Sequence, residues 1–132
     1  MNTTLYYFTG TGNSLDIARR LASSLNARIE PIAALRGKQH RTTAEKVGIV
    51  YPLYFSGLPL IVEEFIRSTD FSSARYIFSV CNLGGSPHID ANIADSILKP
   101  KGTKLHAAFH LLMPGNYITM YNAPGEGKCK GI

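Results

Sequence analysis

The feature that most constrains the fold of this chain is the alternation of short apolar runs with amphipathic segments. Five apolar runs have the length and composition of buried strands, and in chain order they are Leu5–Phe8, Ala27–Ile32, Val47–Tyr51, Tyr76–Cys81 and Leu105–Leu111. Such βαβ alternation is typical of a parallel sheet that helices cover on both faces. We therefore predict one α/β domain over residues 1–132, with a doubly wound, parallel five-stranded sheet in the order 2-1-3-4-5.

Three segments between these strands have the apolar spacing of amphipathic helices. The first is Asn13–Leu25, the second begins at Pro59, and the third begins at Ser86-Pro87. Proline suits the first helical position because its missing N–H has no partner there in any case. The segment Arg36–Glu45 is polar and basic, and it predicts a loop where a further helix would be expected. Residues 114–132 are rich in Gly, Pro and Asn and predict no helix.

The composition indicates an ordinary soluble protein. Hydrophobic residues make up 45% of the chain, which is too apolar for a disordered protein. No stretch reaches the ~18 apolar residues that a membrane span needs. The segment Met1–Gly12 has no basic flank and no apolar signal-peptide core. We therefore expect a cytoplasmic protein with no membrane partner.

Charged residues, cysteines and histidines do not form a recognisable site in the sequence. The formal net charge is +5, but the Lys and Arg residues are scattered, so we expect no nucleic-acid partner. Cys81 and Cys129 are interpreted as two reduced thiols. His106 and His110 lie about 13 Å apart on one strand at ~3.3 Å per residue, too far to share a metal. We expect no metal site.

The first loop that carries chemistry follows the first strand and consists of Thr9, Gly10, Thr11, Gly12, Asn13 and Ser14. Glycines let backbone N–H groups close around an anion, hydroxyls add donors, and the following helix N-terminus adds a favourable dipole. No Lys follows the glycines as in a Walker A loop, and Leu15 replaces the third glycine of a dinucleotide fingerprint. The loop therefore suits a monophosphate held by hydrogen bonds, the alternative being a tight turn with no ligand.

The second loop follows the third predicted strand and consists of Pro52, Leu53, Tyr54, Phe55, Ser56 and Gly57. Adjacent aromatic side chains in a loop are unfavourable to expose. A flat ring ligand would cover them by stacking. The alternative is that Tyr54 and Phe55 pack back on the sheet.

The third loop follows the fourth predicted strand and consists of Asn82, Leu83, Gly84, Gly85 and Ser86. Two adjacent glycines allow the backbone to approach a ligand closely. A tight turn between a strand and a helix would use the same residues. Taken alone, this loop leaves both interpretations open.

With these loops in view, the chain resembles the flavodoxin family, and in particular the flavodoxin domains that precede ferredoxin modules in anaerobic bacteria and archaea. The matching stretches are Tyr6–Ser14, Tyr51–Pro59, Gly84–Pro87 and Met113–Tyr117. The resemblance implies an FMN cofactor. Thr9–Ser14 would hold its phosphate, the second and third loops would flank its ring, and Asn116 and Tyr117 would border the ring. It also implies electron transport to a redox partner protein such as a ferredoxin or ferredoxin-like module.

The chain departs from the family pattern in three respects. No cysteines at ferredoxin spacing follow the domain, the last helix is missing or truncated, and the charge is basic where single-domain flavodoxins are acidic. An uncovered sheet face beside the first helix would favour a homo-oligomer.

Two other functions remain open besides FMN-dependent electron transfer. An FMN-dependent NAD(P)H reductase would turn over quinones or similar small acceptors. A cofactor-free assembly module would bind no FMN. We assign no catalytic residue, because no nucleophile–base pair is recognisable.

Overall fold

A computed structural model describes residues 2–8, 13–52, 58–82, 89–112 and 117–122 of the chain. In chain order the elements are β1 (Thr3–Tyr7), α1 (Asn13–Leu25), β2 (Arg28–Pro31), a 3₁₀ turn (Ile32–Leu35), β3 (His40–Arg41), β4 (Lys46–Pro52), α2 (Leu60–Ser68), β5 (Thr69–Asp70), β6 (Tyr76–Asn82), α3 (Ile89–Leu98), a second 3₁₀ turn (Lys99–Lys101), β7 (Ala107–Leu112) and β8 (Tyr117–Asn122). Helix α1 has the predicted bounds, and α2 begins one residue after Pro59.

The main sheet has the order β2-β1-β4-β6-β7-β8. Its first five strands are parallel neighbours, and they are the five predicted strands in the predicted order 2-1-3-4-5. The doubly wound α/β fold is therefore confirmed. The sheet also has a sixth strand, β8, which was not predicted. It pairs with β7 in the antiparallel direction, from Ala107↔Asn122 to Leu112↔Tyr117.

The segment Arg36–Glu45, predicted to be a loop, contains the two-residue strand β3, which pairs in parallel with β5. Its polar groups fasten it to the fold. The Tyr6 hydroxyl donates to Thr42 Oγ1 at 2.9 Å and lies 2.9 Å from His40 Nε2. The Glu45 N–H donates to Asn2 Oδ1 at 2.9 Å. After the 3₁₀ turn Ile32–Leu35 and a turn at Gly37, the chain therefore returns to β4 without an α-helix.

The sheet separates two apolar layers. On one face, Leu5, Val50, Phe78 and Val80 pack with Ile17 and Ala18 of α1. On the other face, Ile49, Tyr51 and Ile77 pack with buried residues of α2 and α3. The alternation of the two sets along each strand follows the period of two of a pleated sheet.

Gly48 lies where β4 passes between two large side chains of the α1 layer. A Cβ at this position would come within 2.5 Å of both Leu5 Cδ2 and Phe78 Cζ. No larger residue fits there without moving its neighbours.

The strand predicted over Leu105–Leu111 begins at Ala107 instead. The His106 side chain explains the later start, because its Nδ1 accepts the Ile77 N–H at 3.0 Å while the His106 N–H donates to the Ile77 carbonyl at 2.7 Å. Four residues before His106, Gly102 adopts a φ of 85° and ends the second 3₁₀ turn. None of the described helices is long and apolar enough to cross a membrane.

Candidate functional site

The carboxyl ends of β1, β4 and β6 meet at one edge of the sheet. The register pairs Tyr7 with Val50, Pro52 with Asn82, and Asn82 with Leu111. Helices α1, α2 and α3 each follow one of these strands and begin at this same edge. The chain order reverses between β1, which leads to β2 on one side, and β4, which leads to β6 on the other. Open α/β sheets bind ligands in the crevice at such a reversal point.

The residues predicted to form the site divide into two groups. Those that lie outside the described residues are Thr9, Gly10, Thr11, Gly12, Leu53, Tyr54, Phe55, Ser56, Gly57, Leu83, Gly84, Gly85, Ser86 and Asn116. Asn13 and Ser14 begin α1, Pro52 ends β4, Asn82 ends β6, and Tyr117 begins β8. Because Tyr117 pairs with Leu112 at the end of β7, all five described residues lie at the carboxyl edge. Their contacts with a ligand remain predictions.

Ser14 is the described residue with the clearest indication of a ligand. Its side chain is 1% exposed, and its Oγ has no hydrogen-bond partner in the described structure. Buried polar groups are nearly always hydrogen-bonded, because an unsatisfied hydroxyl costs about 1–3 kcal/mol. Two other buried hydroxyls, Thr69 Oγ1 and Ser79 Oγ, also lack a partner among the described residues, but Thr69 follows the C-terminal end of α2 and Ser79 lies within β6. Ser14 is the second residue of α1 and is separated from the segment 9–12 only by Asn13, and the donors at a helix N-terminus favour an anion.

The acidic residue in the first turn of α1 does not cancel this preference. Asp16 is directed along the outside of the helix, where its Oδ2 lies 3.2 Å from Arg20 Nε. Both side chains are largely exposed, so the pair is screened by solvent. The first turn of α1 therefore fits a phosphate group better than a cation.

Directly below this edge lies a buried polar cluster that the sequence analysis did not identify, formed by Tyr51, Cys81 and Asp90. The Tyr51 hydroxyl donates to Asp90 Oδ2 at 2.6 Å, and both residues are 0% exposed. The thiol of Cys81 forms a hydrogen bond with the same carboxylate. Tyr51 and Cys81 are paired across β4 and β6, while Asp90 is the second residue of α3.

Burial raises the pKa of two members of this cluster, Tyr51 and Cys81. Burial, followed by the nearby Asp90 carboxylate, raises the pKa of Tyr51 well above its ordinary value. The same two causes in the same order raise the pKa of the Cys81 thiol far above its ordinary value. Cys81 is therefore a protonated core thiol rather than a nucleophile.

Helix α3 explains why the cluster was missed. The isoleucines of this helix, Ile89, Ile93 and Ile97, repeat every four residues as on one helix face, but Ile93 is only partly buried. The buried positions in α3 are Asp90, Ala91, Ala94, Asp95, Ile97 and Leu98. Small alanines bring the helix close to the sheet, so that an aspartate in its first turn reaches the strands. An acidic residue flanked by apolar positions was the available signal.

A second concavity lies away from the carboxyl edge. It has a volume of about 570 Å³, is widely open, and is lined by Arg41, Asp70, Phe71 and neighbouring residues of β3 and β5. Arg41 Nε lies 3.3 Å from Asp70 Oδ2, and Lys101, which also lines the concavity, donates from Nζ to the Arg67 carbonyl at 2.8 Å. Within the described ranges no group of three or more His, Cys, Asp or Glu residues could hold a metal ion.

Solved structures similar to this one include three with relevant descriptions. A protein described as a flavoprotein from Bacteroides uniformis superposes with a TM-score of 0.69 at 15% identity, over 87% of this chain and 92% of that chain. A second protein so described, from Bacteroides eggerthii, gives 0.60 at 18% identity, over 83% and 85%. An NAD(P)H:quinone oxidoreductase from Methanothermobacter marburgensis gives 0.54 at 12% identity, over 87% of each chain. At these identities the likeness shows the fold.

Sequence comparison gives the family directly. A search of curated proteins gives no match. The sequence model of a family described as "Flavodoxin domain" matches residues 4–123, which is most of the chain and includes the three loops at the carboxyl edge. The chain therefore belongs to this family of flavodoxin domains.

Proposed function

We propose that this flavodoxin domain binds FMN at the carboxyl edge of its sheet and transfers electrons. The observation that carries the proposal is the Ser14 hydroxyl, which is buried at the N-terminus of α1 and has no hydrogen-bond partner among the described residues. Membership of the flavodoxin-domain family supports the choice of a flavin. The hydroxyl-rich, lysine-free segment before Ser14 supports a flavin that carries a single phosphate, because it offers hydrogen bonds rather than a compensating cation.

In this proposal each part of the edge has a separate task. The hydroxyls of Thr9, Thr11 and Ser14, with the first N–H groups of α1, would donate to the phosphate. The segments 52–57 and 82–86 would flank the ring and exclude water. When bound, the flavin supplies the redox chemistry, and the protein holds and orients it.

The electron partner is part of the proposal. We infer a redox partner protein, of the ferredoxin type that the resemblance implies. The net charge of +5 favours an acidic partner, because opposite charges raise the rate of productive encounter. Its association rate should therefore fall as ionic strength rises.

Comparison of FMN with riboflavin tests the proposal, because riboflavin differs by lacking the phosphate. Purified protein should quench FMN fluorescence on titration, and riboflavin should bind at least ~100-fold more weakly, since a dianion accepting several donors gains about 1.5–3 kcal/mol from each. Equal affinities would overturn the phosphate assignment. Failure to bind either flavin would overturn the function and favour the cofactor-free assembly module.

A second candidate function is an NAD(P)H-dependent reductase of quinones, which the fold neighbour from Methanothermobacter marburgensis favours. The two functions separate in one assay. An electron-transfer domain should take electrons from a reduced protein partner and oxidise NADPH with a quinone no faster than free FMN does. A reductase should turn over many equivalents of NADPH per protein.

A further inference from the structure

The cluster of Tyr51, Cys81 and Asp90 links three elements at the place where the ligand loops begin. Tyr51 is the last but one residue of β4, and Cys81 is the last but one residue of β6. Asp90 lies in the first turn of α3. One carboxylate thus accepts hydrogen bonds from two neighbouring strands and fixes the start of a helix against both.

The positions of these residues along the chain relate the cluster to two loops. The segment 83–88 runs from the end of β6 to the start of α3, so Cys81 and Asp90 hold both of its ends. The segment 53–57 leaves the end of β4 directly after Tyr51 and Pro52. This hydrogen-bond cluster restricts the ends of β4 and β6 and the first turn of α3, and a binding site whose supporting elements are already fixed loses less entropy on binding.

We propose that Tyr51 and Asp90 are positioning residues for the flavin, in that their hydrogen bond fixes the end of β4, with the predicted contact Pro52, against the first turn of α3. This inference rests on the proposed function, since it names residues that support the same FMN site without contacting the ligand. Neither residue belongs to the predicted ligand contacts.

The chain provides a matched control on the same helix. Asp95 is also buried, at 3% exposure, and is also hydrogen-bonded, because its Oδ1 accepts the Leu105 N–H at 3.0 Å. Its Oδ2 lies 3.2 Å from Lys99 Nζ. Asp95, however, lies towards the end of α3 that is remote from the carboxyl edge. A change there should disturb the packing of α3 without reaching the ligand loops.

The experiment measures FMN dissociation constants for Tyr51→Phe, Asp90→Ala, Asp90→Asn and Asp95→Ala by fluorescence titration. Circular dichroism first identifies a temperature at which every ligand-free variant is folded. Tyr51→Phe removes one oxygen atom and keeps the ring. Asp90→Asn removes the charge but keeps an oxygen that accepts from the Tyr51 hydroxyl.

We expect Tyr51→Phe and Asp90→Ala to weaken FMN binding about five- to tenfold, the equivalent of one net hydrogen bond. The FMN affinity of Asp90→Asn should lie within about twofold of the wild-type value. That of Asp95→Ala should lie in the same range, although its melting temperature should be lower than that of wild type. If Asp90→Ala does not fold, the FMN affinity of Tyr51→Phe relative to wild type tests the inference.

Three results would overturn the inference. If wild type binds FMN and Tyr51→Phe binds it equally well with a lower melting temperature, the cluster is structural and the proposed function stands. If Asp95→Ala weakens binding as much as Asp90→Ala, the effect comes from general loosening of α3. If wild type binds no FMN, the proposed function and the positioning role both fail.

Discussion

Replacement of Ser14 by Ala should have opposite effects on the ligand-free and the FMN-bound protein. The Ser14 Oγ is buried and has no hydrogen-bond partner in the part of the chain that the structure describes, so its removal relieves a desolvation penalty of about 1–3 kcal/mol. Ala also has a helix propensity about 0.5 kcal/mol better than Ser. We therefore expect the free energy of unfolding of the ligand-free protein to rise by about 1–3 kcal/mol.

FMN binding should change in the other direction. A hydrogen bond from Ser14 to a phosphate dianion is worth about 1.5–3 kcal/mol, so Ser14→Ala should weaken FMN binding by about 10- to 100-fold. Thr69→Val is the matched control, because it removes a second buried, unpartnered hydroxyl and keeps the side-chain volume. This control should stabilise the protein without changing the affinity for FMN.

Urea unfolding followed by circular dichroism measures the first effect, and quenching of FMN fluorescence measures the second. A destabilised ligand-free Ser14→Ala protein would mean that the hydroxyl has a partner within the chain. An unchanged dissociation constant for FMN would mean that Ser14 does not contact the phosphate. Either result refutes the reasoning that leads from the buried hydroxyl to the ligand.

Three further predictions concern stability. Gly48→Ala should lower the free energy of unfolding by about 1–3 kcal/mol in urea, because its Cβ would approach two core side chains to 2.5 Å; an unchanged midpoint would contradict the close packing. Burial raises the pKa values of Tyr51 and Cys81 above their ordinary 10.0 and 9.0, so their contribution to stability is complete below about pH 9 and is lost at higher pH. Tyr51→Phe should lose less stability than wild type between pH 9 and 11 in urea titrations, and equal losses would exclude Tyr51 as a source. Tyr6→Phe should lower the free energy of unfolding by about 1–2 kcal/mol, because it removes the bond to Thr42 Oγ1; thermal unfolding with no change would show that the bond contributes no net stability.

The fold was largely predictable because the apolar runs of this chain are short, dense and separated by helical stripes. Burial on both faces makes parallel strands such as Val47–Tyr51 stand out in a sequence. Strand β8 was missed because its signal is mixed. Tyr117, Ile118 and Thr119 favour a strand, but the surrounding glycines, prolines and asparagines suggested irregular structure. Pairing with β7, which no local pattern reveals, decides the conformation.

The candidate site was predictable in outline and not in its supporting residues. Glycine-rich and hydroxyl-rich segments after strands predict where a ligand binds, and their host strands do end at one edge of the sheet. The role of Asp90 depends on how closely α3 approaches β4 and β6, which is a tertiary property. A buried aspartate in a helix looks like a surface residue in the sequence until its partner Tyr51 is known.

The extended return from β2 to β4 has a consequence for chain length. Six extended residues, as in 40–45, can span about 20 Å at ~3.3 Å per residue, whereas six residues would cover about 9 Å as a helix. An extended connection therefore needs roughly half as many residues as a helical connection of the same span. Such a connection lacks the apolar face of an amphipathic helix. Hydrogen bonds with Tyr6, Asn2 and Asp70 hold it against the fold instead. The connection from β2 to β4 can therefore be short because hydrogen bonds at a few points along it replace the packing of a helix.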